Sequence, residues 1–277
     1  MPKPVPVEVL QSVPVGPADP YFVTALARGL DVLNCYGASS KLLGNGELAS
    51  RTGLPKSTVA RLTHTLTRLG YLNYDPEACK YGLGPETLLL GGLMLSKLTV
   101  RELARPRMQK LADFSHGMVS LGMRSRLHMI YIENRRSDSA LTLRLDVGSR
   151  IPIATTAMGR AYIAASSSTE RDDIFNLIKS REGHAWPQIK AGIEAAIVEY
   201  ERTGCCSSFG DWQEDVNAIA VAFVPTGGGP QLALSCGGPA FTLTRAHLIE
   251  EVRPKLLDLV RSWQMLPGGN DKRPFPG

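Results

Sequence analysis

The sequence predicts an α+β fold in two domains, an N-terminal winged helix-turn-helix followed by an antiparallel sheet with packed helices. Three observations carry that expectation. Between Glu47 and Leu83 a short helix, a glycine turn, a second helix and a hairpin follow one another in winged-helix order. From Met118 the hydrophobic period changes from helical to alternating. Near the C-terminus two apolar runs, 217–224 and 231–236, flank Pro225-Thr226-Gly227-Gly228-Gly229-Pro230, which reads as a hairpin loop.

The chain has 277 residues, a length that allows two cores. An apolar content of 43% with 21% charged residues is that of an ordinary globular protein. No apolar run reaches the roughly 20 residues that span a bilayer. Residues 1–20 are proline-rich without a signal-type apolar block, and read as a flexible arm. Together these features predict a cytoplasmic protein.

Residues 21–84 form the predicted DNA-binding domain. Phe22, Leu26, Leu30 and Leu33 recur at helical spacing over Tyr21 to Tyr36 and read as the inward face of a first helix, with a dimer contact as a second use. After the loop 37–46, Glu47 starts the short helix and Gly53 ends it. Pro55 is placed as the first residue of the next helix, where a missing N–H costs nothing. Val59, Leu62, Leu66 and Leu69 form one stripe of that helix. At about 100° per residue Ser57, Arg61, His64 and Arg68 fall on the other side. Gly70 suits the end of the helix, and 71–74 and 79–83 read as strands about Asp75-Pro76-Glu77-Ala78.

A helix buried on one side and cationic on the other is what a DNA major groove accepts. The same pattern alone describes a solvated surface helix; the order of four elements favours DNA. From Lys41 to Leu83, Lys41, Arg51, Lys56, Arg61, Arg68 and Lys80 face only Glu47, Asp75 and Glu77. That local excess suits phosphate contact, while the overall net charge of +5 permits it without requiring it. Ser57, Thr58, Arg61 and His64 are the candidate base or phosphate readers. Lys56, Arg68, Lys80 and Tyr81 are candidates for holding the backbone.

Residues 85–98 read as a linker helix opened by Gly84-Pro85 and weakened at Gly91-Gly92. The domain boundary is expected between Lys97 and Arg101. A helix from Thr99 to His116 should carry Leu103, Met108 and Leu111 inward. Residues 99–266 form the second domain, with strands at 119–123, 127–132 and 141–145, a break at Arg150-Ile151-Pro152, and a helix near Arg160 to Ser166. Polar helices at 169–181 and 188–203, the strand pair and a last helix from Thr244 to about Met265 complete it; 267–277 read as a flexible tail. A sheet with helices packed on it can hold a small ligand between its layers.

The five cysteines (Cys35, Cys79, Cys205, Cys206, Cys236) lack metal-ligand spacing and read as reduced thiols, mostly packed as small hydrophobes. The histidines are scattered, and no nucleophile elbow, zinc helix or phosphate loop appears. Glu133 and Asp138 read as solvated ion pairs with nearby arginines rather than as an acid–base pair. No enzyme, cofactor or metal is therefore expected.

Over 21–266 the chain resembles the IclR-family transcriptional regulators. The resemblance rests on ELASRTGLPKSTVARL at 47–62, GYLNYDPEACKYGLG at 70–84, LRLDVGSRIPIATTAMGRA at 143–161 and LALSCGGPAFTLT at 232–244. It implies a GAF-like effector domain, dimers or dimers of dimers on double-stranded operator DNA, a repressor as the default role with activation equally compatible with these residues, and control by a small organic acid, aromatic ones included. Family ligand positions that match here are Ala157, Met158 and Gly159 at the helix entry, then Asp211, Trp212, Asn217 and Ser235. A helix N-terminus offers unpaired amides to a carboxylate, and a tight packing turn explains the same small residues. Trp212 reads as a core or lid aromatic before a stacking platform. Asn217-Ala218 replaces the frequent Arg-Cys pair, and Met158 is bulkier than the usual residue. A ligand-binding or interaction module without DNA binding is the other functional reading.

Overall fold

The computed structural model describes residues 20–37, 42–138, 145–225 and 228–264. The expected arm, tail and most of the strand 141–145 lie outside these residues, as do Lys41, Gly227 and Met265. The chain divides into two compact units, Met1–Lys97 and Leu98–Gly277.

In the first unit α1 (Thr24–Asn34), α2 (Asn45–Thr52) and α3 (Lys56–Arg68) precede β1 (Leu72–Asp75), β2 (Lys80–Leu83) and α4 (Pro85–Ser96). Gly53 ends α2 in the left-handed region (φ +70°), donating its amide to Ala49 O at 2.9 Å. Pro55 is the N-cap of α3 rather than its first residue, because its ψ of 141° is extended; its carbonyl accepts from Val59 N. At the other end Tyr71 N donates to Leu66 O and Gly70 N to Thr67 O, with Gly70 at φ +79°, a Schellman closure. Asp75 Oδ1 accepts from the amides of Glu77 and Ala78 and folds the turn between β1 and β2.

The small core of this unit is Val32, Cys35, Leu43, Leu48, Val59, Leu66 and Leu72. Two expected stripes are corrected. Phe22, which precedes α1, and Leu26 and Leu30 on it are exposed, and Val32 and the C-cap Cys35 are buried instead. On α3, Leu69 is exposed because it is already the C-cap, and Thr63 takes a buried place instead, bonded to Asn45 Oδ1. Helix α4 runs unbroken through Gly91-Gly92.

In the second unit α5 (Thr99–Ser115) leads to β3 (Met118–Ser125), β4 (His128–Arg136) and β5 (Arg150–Pro152). Helices α6 (Ala157–Ala165), α7 (Ser168–Glu182) and α8 (Trp186–Thr203) follow, then β6 (Cys206–Phe209), β7 (Val216–Phe223) and β8 (Leu232–Pro239). The final helical stretch is α9 (Arg245–His247), a π-helical turn over Leu248–Val252, and α10 (Arg253–Gln264), not one regular helix. The strands form one antiparallel sheet in the order β5-β4-β3-β8-β7-β6.

Residues 150–152 thus extend the sheet instead of breaking it. Pro152 is tolerated because β5 is an edge strand, where no inner partner needs its missing donor. At the opposite edge β6, which the sequence did not reveal, is sealed by side chains: Ser207 N donates to Glu199 Oε2 and Ser207 O accepts from Arg160 Nη1. Such bonds occupy backbone groups that would otherwise template another strand.

Helices α5 and α10 pack on one face of the sheet, and α6 on the other with α8 behind it. Leu103 on α5 is exposed, whereas Ala104, Met108, Leu111 and Ala112 are buried. Glu133, expected to be solvated, is 3% exposed. It receives Arg105 Nε at 2.9 Å, Arg101 Nη2 at 3.1 Å and Arg135 Nη2 at 3.3 Å, which compensate its lost hydration.

Candidate functional site

Two regions collect the candidate residues, one in each unit. The first is the outer side of α3. Burial of Val59, Thr63 and Leu66 turns Lys56, Ser57, Arg61, His64 and Arg68 to solvent, with Thr58 half-buried between them. None of the basic side chains of α3 has an ion-pair partner among the described residues. No side chain caps the helix start, so its first amides point outward beside Lys56 and Ser57, as an anion-binding terminus requires.

The hairpin is less cationic than its sequence suggested. Lys80 Nζ is paired with Glu47 Oε2 at 3.0 Å, and that carboxylate also accepts Gly44 N at 2.8 Å. The Gly44 amide and then Lys80 hold the Glu47 carboxyl below the usual carboxylate range. Tyr81 lies against the small core, its backbone bonded to Leu43 on both sides and its ring 5.0 Å from that of Tyr74. The hairpin turn holds Glu77 and no basic residue. Among the described residues, positive charge free to meet phosphate therefore concentrates on α3.

The second region is a cavity between α6 and the sheet, about 30 Å³ in volume, enough for a water or two. Met118, Tyr131, Ile151, Thr156, Ala157, Met158, Ser208, Trp212, Val216, Ala218, Ser235 and Gly237 line it. Ala157, Met158, Trp212 and Ser235 are thus brought together as expected candidates. Gly159, Asp211 and Asn217 are not in the wall.

Each absence has a physical reason. Gly159 N is taken by the capping hydroxyl of Thr156 at 3.2 Å, and its Cα is pressed so closely on the Ile153 backbone that no Cβ would fit. Asp211 turns to Arg160 at 2.6 Å and lines a separate open cleft with Glu199, Phe209 and Arg245. Asn217 alternates with the wall residues Val216 and Ala218, so its side chain is on the other face, donating to Leu243 O at 2.9 Å.

Tyr131, Thr156 and Ser208 are wall residues that sequence reasoning missed. Thr156 was legible as an N-cap three residues before Gly159. Ser208 lay in the unrecognised β6, and its hydroxyl donates to Thr155 O at 2.9 Å. Burial pushes the Tyr131 phenol up to about 12, with a Ser120 hydrogen bond acting the other way.

Among the described residues the wall contains no charged side chain. What it offers an anion is the start of α6, where the amides of Ala157 and Met158 have no preceding turn to bond, together with the Ser235 hydroxyl. Among the described residues no cluster of three or more acidic, histidine or cysteine side chains could hold a metal, and no helix is long and apolar enough to cross a membrane.

Residues 92–264 match the family model of the bacterial transcriptional regulator IclR C-terminal domain, and residues 25–76 match the IclR helix-turn-helix domain. The HTH-type transcriptional regulator TsaQ1/TsaQ2 of Comamonas testosteroni is 34% identical over 245 residues, 88% of this chain and 88% of that protein. The crystal structure of an IclR-family transcriptional regulator from Brucella abortus has a TM-score of 0.81 at 42% identity, covering 95% of this chain and 98% of the other. An IclR homolog from Microbacterium hydrocarbonoxydans, solved as a complex with 4-hydroxybenzoate, shares the fold with a TM-score of 0.68 at 21% identity, covering 86% and 96%.

Proposed function

This chain belongs to the IclR family of transcriptional regulators, and we propose that it is a cytoplasmic repressor whose grip on operator DNA is set by a small organic acid in the C-terminal cavity. DNA binding by the helix-turn-helix and ligand binding by the C-terminal domain are properties of the family, which is not enzymatic. The observation that carries the proposal is the exposed cationic side of α3, without an ion-pair partner among the described residues, over a buried Val59, Thr63 and Leu66.

In this reading Ser57, Thr58, Arg61 and His64 read bases or phosphates in the major groove, and Lys56 and Arg68 hold the backbone. Lys80 and Tyr81 support the hairpin and make a smaller contribution, since Lys80 already has a carboxylate partner. Two chains pair, or two pairs associate, so that recognition helices enter successive major grooves about 34 Å apart. The acid places its carboxylate at the α6 start and the Ser235 hydroxyl, its apolar body against Trp212 and Ile151. The 4-hydroxybenzoate held by the relative supports that choice of ligand class. Preferential binding to one arrangement of the pair couples the two sites.

A gel-shift titration on DNA flanking the protein's own gene tests this reading. A carboxylate that raises the melting temperature should change operator affinity severalfold. Equal affinity with saturating acid and without it would remove the coupling.

A further inference from the structure

We infer that the Met158 side chain is a displaceable plug seated on Gly122, and that this pair sets the size limit of the cavity. The inference rests on reading that cavity as the effector site. Met158 is the second residue of α6, only 1% exposed, and it forms part of the wall. Gly122 lies on β3 opposite Tyr131, beside an irregularity in the β3–β4 register. A Cβ on Gly122 would overlap Met158 Sδ, and would come within 3.2 Å of Cε and 3.3 Å of Ile130 O. Gly122 is not at positive φ, so its missing side chain serves no left-handed turn. It leaves the notch in which the thioether sits.

Volume decides whether the plug must move. An apolar cavity that holds benzene is on the order of 150 Å³, and the space left here is about 30 Å³. An aromatic acid therefore enters only if a wall group moves. The wall has two unbranched thioethers, which repack more easily than the branched Ile151 and Val216; Met118 Sδ accepts from Asn134 Nδ2 at 3.4 Å, so Met158 is the one suited to move. Among the described residues no basic side chain lines the wall, so they offer one place for a carboxylate and nothing to compensate a second buried charge. The ligand class is a compact, single-ring monocarboxylate.

Thermal-shift titrations of the full chain with benzoate, 2-naphthoate, phthalate and neutral indole test this on the wild type, Met158→Ala, Gly122→Ala, the double variant and Met158→Leu. Wild type should bind benzoate and reject 2-naphthoate and phthalate. Met158→Ala should bind indole and 2-naphthoate at least tenfold more tightly than wild type. Gly122→Ala, which drives the thioether into the cavity, should weaken benzoate at least tenfold, and adding Met158→Ala to it should restore binding. Met158→Leu keeps the bulk with less freedom and should weaken benzoate without unfolding the chain. If Met158→Ala gains indole but no acid, the plug stands and the carboxylate reading falls. If Met158→Ala gains neither indole nor 2-naphthoate, or Gly122→Ala binds benzoate as wild type does, the plug is overturned.

Discussion

Arg160 Nη1 donates to Asp211 Oδ2 at 2.6 Å, joining the residue after Gly159 on α6 to the residue before Trp212. The guanidinium is also bonded to Ala154 O and Ser207 O, and its side chain is 11% exposed. A rigid donor thus holds the loop that brings Trp212 to the cavity wall.

Asp211→Ala should loosen that loop. We expect amides of 206–216 to exchange with deuterium severalfold faster and stability to fall by about 1 kcal/mol, since Asp211 itself is half-exposed. Asp211→Glu should recover part of the protection. Unchanged exchange in Asp211→Ala would show that the ion pair does not hold Trp212.

Glu133→Ala leaves three arginines crowded around an empty place beside α5. Removing one partner from a buried charge cluster costs about 3 kcal/mol. For a domain of this size that is a melting temperature lower by roughly 6–12 °C. A fall of under 2 °C would show that the cluster is solvated in practice.

Four of the five thiols are buried and one, Cys79, is exposed. Burial pushes Cys205 up to about 12 and Cys236 and Cys35 up to about 11, and raises Cys206 too. Iodoacetamide at pH 8 should therefore add one label to the native chain, at Cys79, and five after denaturation. The raised values also fix the sign of the alkaline response. The folded state holds these protons more tightly than the unfolded one, whose thiols titrate near 9. Their contribution is complete below about pH 9 and is lost as pH rises toward 12. A second label on the native protein, or a stability that is flat from pH 9 to 11, would contradict this.

The winged helix-turn-helix was legible because its signals are local. Gly53, Gly70 and Asp75 each act on their own few residues, and the α3 stripe needs only the helical period. Which apolar residues actually face the core was less legible. Leu26, Leu30, Leu69 and Leu103 keep the period yet stay exposed, because packing depends on where other elements stop. Residues 150–152 look like a break until Pro152 is known to lie on an edge strand. Strand β6 is four residues long, between Gly204 and Gly210, too short for alternation to declare itself. In the cavity, a parity of one residue separates Ala218 in the wall from Asn217 on the far face, and only the sheet register decides it.

In the proposed function α3 presents Arg61 and Arg68 to DNA. Fluorescence anisotropy on a labelled duplex, over a series of salt concentrations, tests it without knowledge of the operator. Each lost phosphate contact should flatten the log–log salt slope by about 0.9. Arg61→Ala/Arg68→Ala should therefore bind more weakly at every concentration, with a slope shallower by about 1.8 if both contact phosphate and about 0.9 if Arg61 reads a base. A double variant with the wild-type affinity and slope, and an unchanged melting temperature, would contradict the account.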